Sequence, residues 1–209
     1  MTLQYLYWLS IILLAIAMGA AFVLAFRKRA CQPLTTVELA TVSLLICLLH
    51  VAVVPWQAGF AKVPGLDALI FSIPYTVVFL LGLSLAPKPG FATLLIFGQG
   101  VLGQLLGRGV NPAWWPYYLW CALGVELLVV ASRGRVKSLS FMLGAGLLRG
   151  LIADTYLYLI LAPFLWRQFY APWYVATKIA VELVGCAIGA LIAWQLAPTI
   201  EKASRHSSL

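Results

Sequence analysis

Seven apolar stretches fill almost the whole chain, at residues 4–26, 37–55, 66–86, 90–106, 114–132, 138–162 and 174–196. No other feature constrains the fold as much. An α-helix rises about 1.5 Å per residue, so about 20 residues cross the ~30 Å hydrocarbon of a bilayer, and most of these stretches can do so. Backbone N–H and C=O groups find no water there, so each crossing segment must close its hydrogen bonds within a helix. Composition agrees: hydrophobic residues make up 63% of the chain and charged residues 10%. Soluble domains do not carry that balance. The sequence predicts an all-α integral membrane protein.

Charge gives an orientation rather than a partner. The net charge of +8 could suit nucleic acid, but the basic residues stand at helix ends instead of along one face, so that class is rejected. With the N-terminus outside, the inner loops hold nine basic residues: Arg27, Lys28, Arg29, Lys88, Arg133, Arg135, Lys137, Lys202 and Arg205. The outer loops hold three, Lys62, Arg108 and Arg167. Basic residues favour the cytoplasmic side, which predicts N-out and C-in.

The chain divides as one plus six. Residues 1–30 form an extra N-terminal span, residues 36–200 a six-helix membrane domain with short loops, and residues 201–209 a cytoplasmic tail. The first span lacks a basic leading segment and a small-residue cleavage site, so it reads as an anchor rather than a cleaved signal. Ala17, Ala21 and Ala25 give it a small-residue stripe for helix contact. Cys31, Cys47, Cys121 and Cys186 show no metal-ligand spacing, and no metal or cofactor is expected.

Aromatic residues crowd the outer loops. Trp56 lies in the first of them, Trp114, Trp115 and Tyr118 in the second, and Trp173 in the third. They suit either an interfacial belt or the wall of an outward-facing pocket, where rings stack on a flat ligand and still hydrogen-bond. Small residues mark helix contacts. Thr36, Ala40, Ser43 and Cys47 form one stripe, Gly185, Gly189 and Ala193 another, and Gly146 with Gly150 a close-approach pair. Gly100, Gly103 and Gly107 line the 90–106 helix.

Five ionisable residues fall inside spans: Glu126, Arg149, Asp154, Lys178 and Glu182. Charges in hydrocarbon are costly, and they mark a buried site. Helix rise puts Glu126 roughly 15 Å and Glu182 roughly 12 Å below the outer ends of their helices. Lys178 and Glu182 share a helix face at i,i+4. All five are expected at the midplane or in the outer half, as a structural ion-pair network or as the polar floor of a ligand pocket. That pocket is expected between the 114–132, 138–162 and 174–196 helices. The chain has no phosphate-binding loop, no zinc-protease helix motif and no nucleophile elbow. It also lacks the two-fold repeat of many secondary transporters.

At this point the chain resembles the substrate-binding S components of energy-coupling factor (ECF) transporters. The resemblance covers residues 36–200. It rests on the six short-looped helices, Ile73-Pro74, the Lys88-Pro89-Gly90 turn, Asn111-Pro112-Ala113-Trp114, the Gly144 to Gly150 segment and the Gly185-xxx-Gly189 helix. It implies a non-enzymatic subunit in a prokaryotic cell membrane that captures a small water-soluble vitamin or precursor from outside. It also implies partners: a transmembrane coupling subunit and two ATPases. Ala40-Thr41-Val42-Ser43-Leu44 stands where the family's AxxxA coupling contact falls, so Ala40, Ser43 and Cys47 become the expected docking residues. Two other classes stay open: a membrane scaffold of the rod-shape-determining type, and an intramembrane enzyme acting on lipid head groups.

Overall fold

The computed structural model describes residues 2–27, 34–53, 65–107, 109–132 and 135–206. Among them every regular element is helical. α1 spans Thr2–Arg27. α2, Thr36–Leu48, runs on into a π-helical turn at Leu49–Val53. α3 is Leu66–Leu85 and α4 Phe91–Leu106. A 3₁₀ turn at Pro112–Trp114 leads into α5, Trp115–Ser132. α6, Leu139–Tyr156, passes through a second π turn at Leu157–Leu161 into the short α7, Ala162–Trp166. α8 is Pro172–His206.

Among the described residues, five helical stretches are long and apolar enough to cross a membrane: Gln4–Ala21, Leu66–Leu85, Pro112–Ser132, Leu139–Trp166 and Pro172–Ile200. Thr36–Val51 and Phe91–Leu106 are apolar but shorter. The outer surface is greasy, with Leu44, Leu105, Leu159 and Val184 exposed. A water-soluble bundle hides such residues, whereas lipid accepts them.

Local signals set the helix starts. Thr35 caps α2, accepting from the Glu38 backbone N–H while the Glu38 carboxylate accepts from the Thr35 N–H. This reciprocal arrangement satisfies two otherwise orphaned donors. Ser138 caps α6 through the Phe141 N–H. Gly90 precedes α4 at φ 95°, a left-handed conformation that side chains with a Cβ resist.

Around the bundle, α3 packs on α8, α8 on α6, α6 on α5 and α5 on α4, while α2 leans on α4 and α3. Glycines permit the closest crossing. A Cβ on Gly189 would meet the Ile73 carbonyl oxygen at 2.7 Å, and one on Gly185 would run into the Ser72 hydroxyl. Thus the Gly185/Gly189/Ala193 stripe of α8 serves contact with α3 inside the chain. Gly146 and Gly150 do the same between α6 and α8. The Thr36/Ala40/Ser43/Cys47 stripe of α2 differs: all four residues are exposed.

α1 stands apart from this ring. It packs on α5, α7 and the second π turn. The Tyr7 ring stacks on Phe164 at 3.9 Å, the Tyr7 hydroxyl donates to the Ala113 carbonyl, and Ser10 shares a 2.8 Å hydrogen bond with the Tyr156 hydroxyl. Ala17 and Ala21 lie half-buried on the same side. Ala25 is outside the residues whose side chains are described.

The bundle has a dry half and a polar half. Phe79, Leu83, Phe91, Leu95, Val125 and Met142 fill the end near Gly90 and are essentially inaccessible. Toward the other end, where α3, α5 and α8 begin, the interior becomes aromatic and charged.

Candidate functional site

Arg149 sits where the dry half ends. Its helix, α6, is buried on the face carrying Met142, Ala145, Gly146, Arg149, Gly150 and Ala153. That spacing of three and four aims the guanidinium at the bundle interior. The Arg149 Nη1 donates to Glu182 Oε1 of α8 at 2.7 Å, with both side chains nearly inaccessible. Its guanidinium carbon lies 4.2 Å from the centroid of the Tyr75 ring of α3. A cation over a ring face is attracted by the ring quadrupole, so Tyr75 and Glu182 fix Arg149 from two sides.

A second ion pair lies nearer the aromatic end. Lys178 Nζ donates to Asp67 Oδ1 at 2.6 Å. The i,i+4 spacing matched Lys178 with Glu182, but each takes its partner from another helix. Asp67, in the first turn of α3, was not singled out from the sequence. An acid opening an otherwise apolar span was the signal that marked it. Asp154 interacts electrostatically with both pairs, and its Oδ2 is buried with no hydrogen-bond partner among the described residues. Tyr170 and Tyr174 stack beside this group and Tyr158 meets both edge-on, with Lys178 Nζ 5.9 Å from the Tyr174 ring centroid.

Glu126 does not join this cluster. Its carboxylate accepts from the Gly90 and Thr93 backbone N–H groups at 2.9 Å each, and from the Thr93 hydroxyl. It therefore caps the start of α4, at the end of the bundle opposite Trp114. The expected place of Glu126 in one cluster with the other four ionisable residues is corrected: the otherwise orphaned N–H groups at the start of α4 claim its carboxylate.

A half-open cavity of about 290 Å³ lies above Arg149, toward the aromatic end. Phe71 and Tyr75 of α3 line it, with Ile96, Gln99, Gly100 and Gly103 of α4. Trp114, the α5 residues Tyr117, Tyr118 and Cys121, and Arg149 and Leu157 complete it. Cavity walls thus come from α3 to α6. The expected place was between α5, α6 and α8; this cavity takes no wall from α8 and instead uses α3 and α4, which touch sparsely, while glycines close α8 on α3 and α6.

The expected aromatic residues separate. Trp114 and Tyr118 line the cavity. Trp114 also meets Tyr117 and Trp166 at centroid distances of 5.8 and 5.7 Å. Trp115 instead packs edge-on against Phe97, and Trp173 is 71% exposed. Trp56 lies outside the described residues, as do Lys62 and Arg108. Tyr75, Tyr117 and Gln99 were not selected as site residues from the sequence, although Gln99, one of two amides in its span, and a Tyr after Pro74 stand out.

The second π turn supplies Leu157 to the cavity, and His50 of the first approaches the α4 backbone where Gly103 leaves room. Such turns often mark functional positions in helices. Among the described residues no group of His, Cys, Asp and Glu is placed to hold a metal ion. Chemically, the arrangement offers a flat, ring-walled space with a fixed cationic donor at its floor. Comparison with known protein families, with characterised proteins and with solved structures finds no match for this chain.

Proposed function

We propose that the chain is the membrane-embedded substrate-binding subunit of an ECF-type importer. In this reading seven helices cross the membrane, N-terminus outside, and the cavity above Arg149 takes a small water-soluble ring compound, a vitamin or precursor, from the outer face. The observation that carries it is the cavity itself. It lies within a bundle whose surface suits lipid, is walled by aromatic rings, and ends on an ion-paired arginine. Ligand sites are commonly concave and largely apolar with a few convergent polar groups.

Further features support the reading. α2 presents Ala40, Ser43 and Cys47 on an exposed face, where a coupling subunit's helix can approach closely. Lys88 and Arg135 stand at the end of the bundle opposite Trp114, as the positive-inside rule asks of the cytoplasmic side. The remaining partners in this reading are the two ATPases. Cavity and ion pairs have no scissile-bond chemistry assigned to them, and the proposed role is binding and transport rather than catalysis.

The test is mass spectrometry of small molecules that co-purify with the detergent-solubilised protein. It is followed by thermal unfolding with and without the identified compound. A ring compound that stabilises the protein, and whose uptake requires a coupling subunit and ATPases, is the expected result. Absence of any stabilising compound favours the scaffold alternative, and turnover of a lipid head group favours the enzyme.

A further inference from the structure

We infer that the cavity takes an uncharged planar ligand that presents a hydrogen-bond acceptor, a carbonyl or ring nitrogen, to Arg149. This rests on the cavity being the ligand site proposed above. Among the described residues, Arg149 is the one charged side chain lining it. A guanidinium has five N–H donors and no acceptor. Among the described residues its hydrogen bonds all leave from Nη1, to Glu182 and to the Cys186 sulfur. The donors on Nε and Nη2 remain for a guest, so the guest must accept.

The charge count decides the rest. Around Arg149 stand three carboxylates, Asp67, Asp154 and Glu182, against two cations, Arg149 and Lys178. The positive charge of Arg149 is already matched by Glu182. An anionic guest would meet that carboxylate across the same guanidinium, with no surplus cation to hold it. A proton on Asp154 does not alter this, because the count then becomes two against two. Buried ions without a partner are strongly disfavoured, so an anion is a poor guest. A cationic guest would answer the surplus carboxylate, but Asp154 does not line the cavity, and at its floor the guest would face the like charge of Arg149. A neutral acceptor leaves the Arg149–Glu182 pair matched and still receives a charge-assisted hydrogen bond.

Shape points the same way. Phe71, Trp114, Tyr117 and Tyr118 offer ring faces and edges, which favour stacked or edge-on aromatic partners. About 290 Å³ is at the small end of ligand cavities. Gln99, with both donor and acceptor atoms, suits a second polar edge on the ring.

The test uses the full-length protein in detergent micelles and isothermal titration calorimetry. The probes are benzamide, benzoate and benzylamine, of matched size but neutral, negative and positive at neutral pH. Benzamide is expected to bind at least about tenfold tighter than the other two. Gln99→Phe, which fills the cavity, should abolish that binding. The double variant Arg149→Gln with Glu182→Gln removes both ions of that pair together, so neither is left without the other, and should weaken benzamide about tenfold. Benzoate or benzylamine binding as tightly as benzamide, and lost in Gln99→Phe, overturns the charge class but leaves the cavity as a ligand site. Binding of no probe, or binding that Gln99→Phe does not change, overturns both. Benzamide binding that survives the double variant intact overturns the role of Arg149.

Discussion

Arg149 and Glu182 stand 33 positions apart in the chain and meet as a buried 2.7 Å ion pair between α6 and α8. Gly150 makes this possible. A Cβ there would come within 2.8 Å of the Cys186 sulfur and 3.3 Å of Glu182 Cγ. The glycine lets α8 close on α6, and that approach brings the carboxylate to the guanidinium.

Breaking this pair from one side should be worse than removing it whole. Glu182→Gln leaves a buried guanidinium without its counter-ion, a change that typically costs about 3–5 kcal/mol. Glu182→Gln combined with Arg149→Gln leaves two neutral amides and should recover much of that loss. Thermal unfolding in detergent checks it. A double variant less stable than both singles contradicts the charge argument.

Glu126 acts as a helix cap, and its variants should report stability. Glu126→Gln keeps the shape but weakens acceptance from the Gly90 and Thr93 N–H groups. A hydrogen bond to a charged group contributes about 1.5–3 kcal/mol, so a loss in that range is expected. Hydrogen exchange should show faster opening of the first turn of α4, with the turn of α6 around Arg149 little changed. Equal loosening at both places would mean that Glu126 supports the polar cluster after all.

The glycines of α8 and α6 should differ in tolerance. Gly189→Ala puts a methyl against the Ile73 carbonyl and 2.8 Å from Thr76 Cβ. Overpacking of that kind costs about 1–3 kcal/mol. Gly144→Ala meets nothing nearer than Leu128 Cδ1 at 3.9 Å, so it should be neutral or slightly stabilising. Melting temperatures of the two variants, measured side by side, decide the point.

On α2, Ala40→Leu and Ser43→Leu should leave folding intact, because both positions are exposed. If α2 is the coupling face, the added bulk keeps a partner helix away and uptake by the assembled importer falls. Normal uptake in both variants, with normal expression, removes α2 from the docking surface.

The sequence by itself determined which segments are apolar helices, which residues could not remain in lipid unaided, and where backbones approach. These are one-dimensional signals. Hydrocarbon forbids open backbone groups, so apolar length marks a helix. It penalises charge, so Arg149, Lys178 and Glu182 had to turn inward. Small residues at spacings of three and four had to lie at contacts or on an open face, and Gly185 with Gly189 and Ala40 with Ser43 represent those two fates. Tertiary structure decided the partners. Helical period tells which residues share a face, but not which neighbour that face meets, nor at what height. So Lys178, one turn from Glu182 on the same face of α8, bonds instead to Asp67, because α3 begins beside it. Glu126 lost its expected place at the polar cluster because the otherwise orphaned N–H groups at the start of α4 need an acceptor. The cavity takes its walls from α3, α4, α5 and α6, where α3 and α4 touch sparsely, while glycine contacts close α8 against its neighbours.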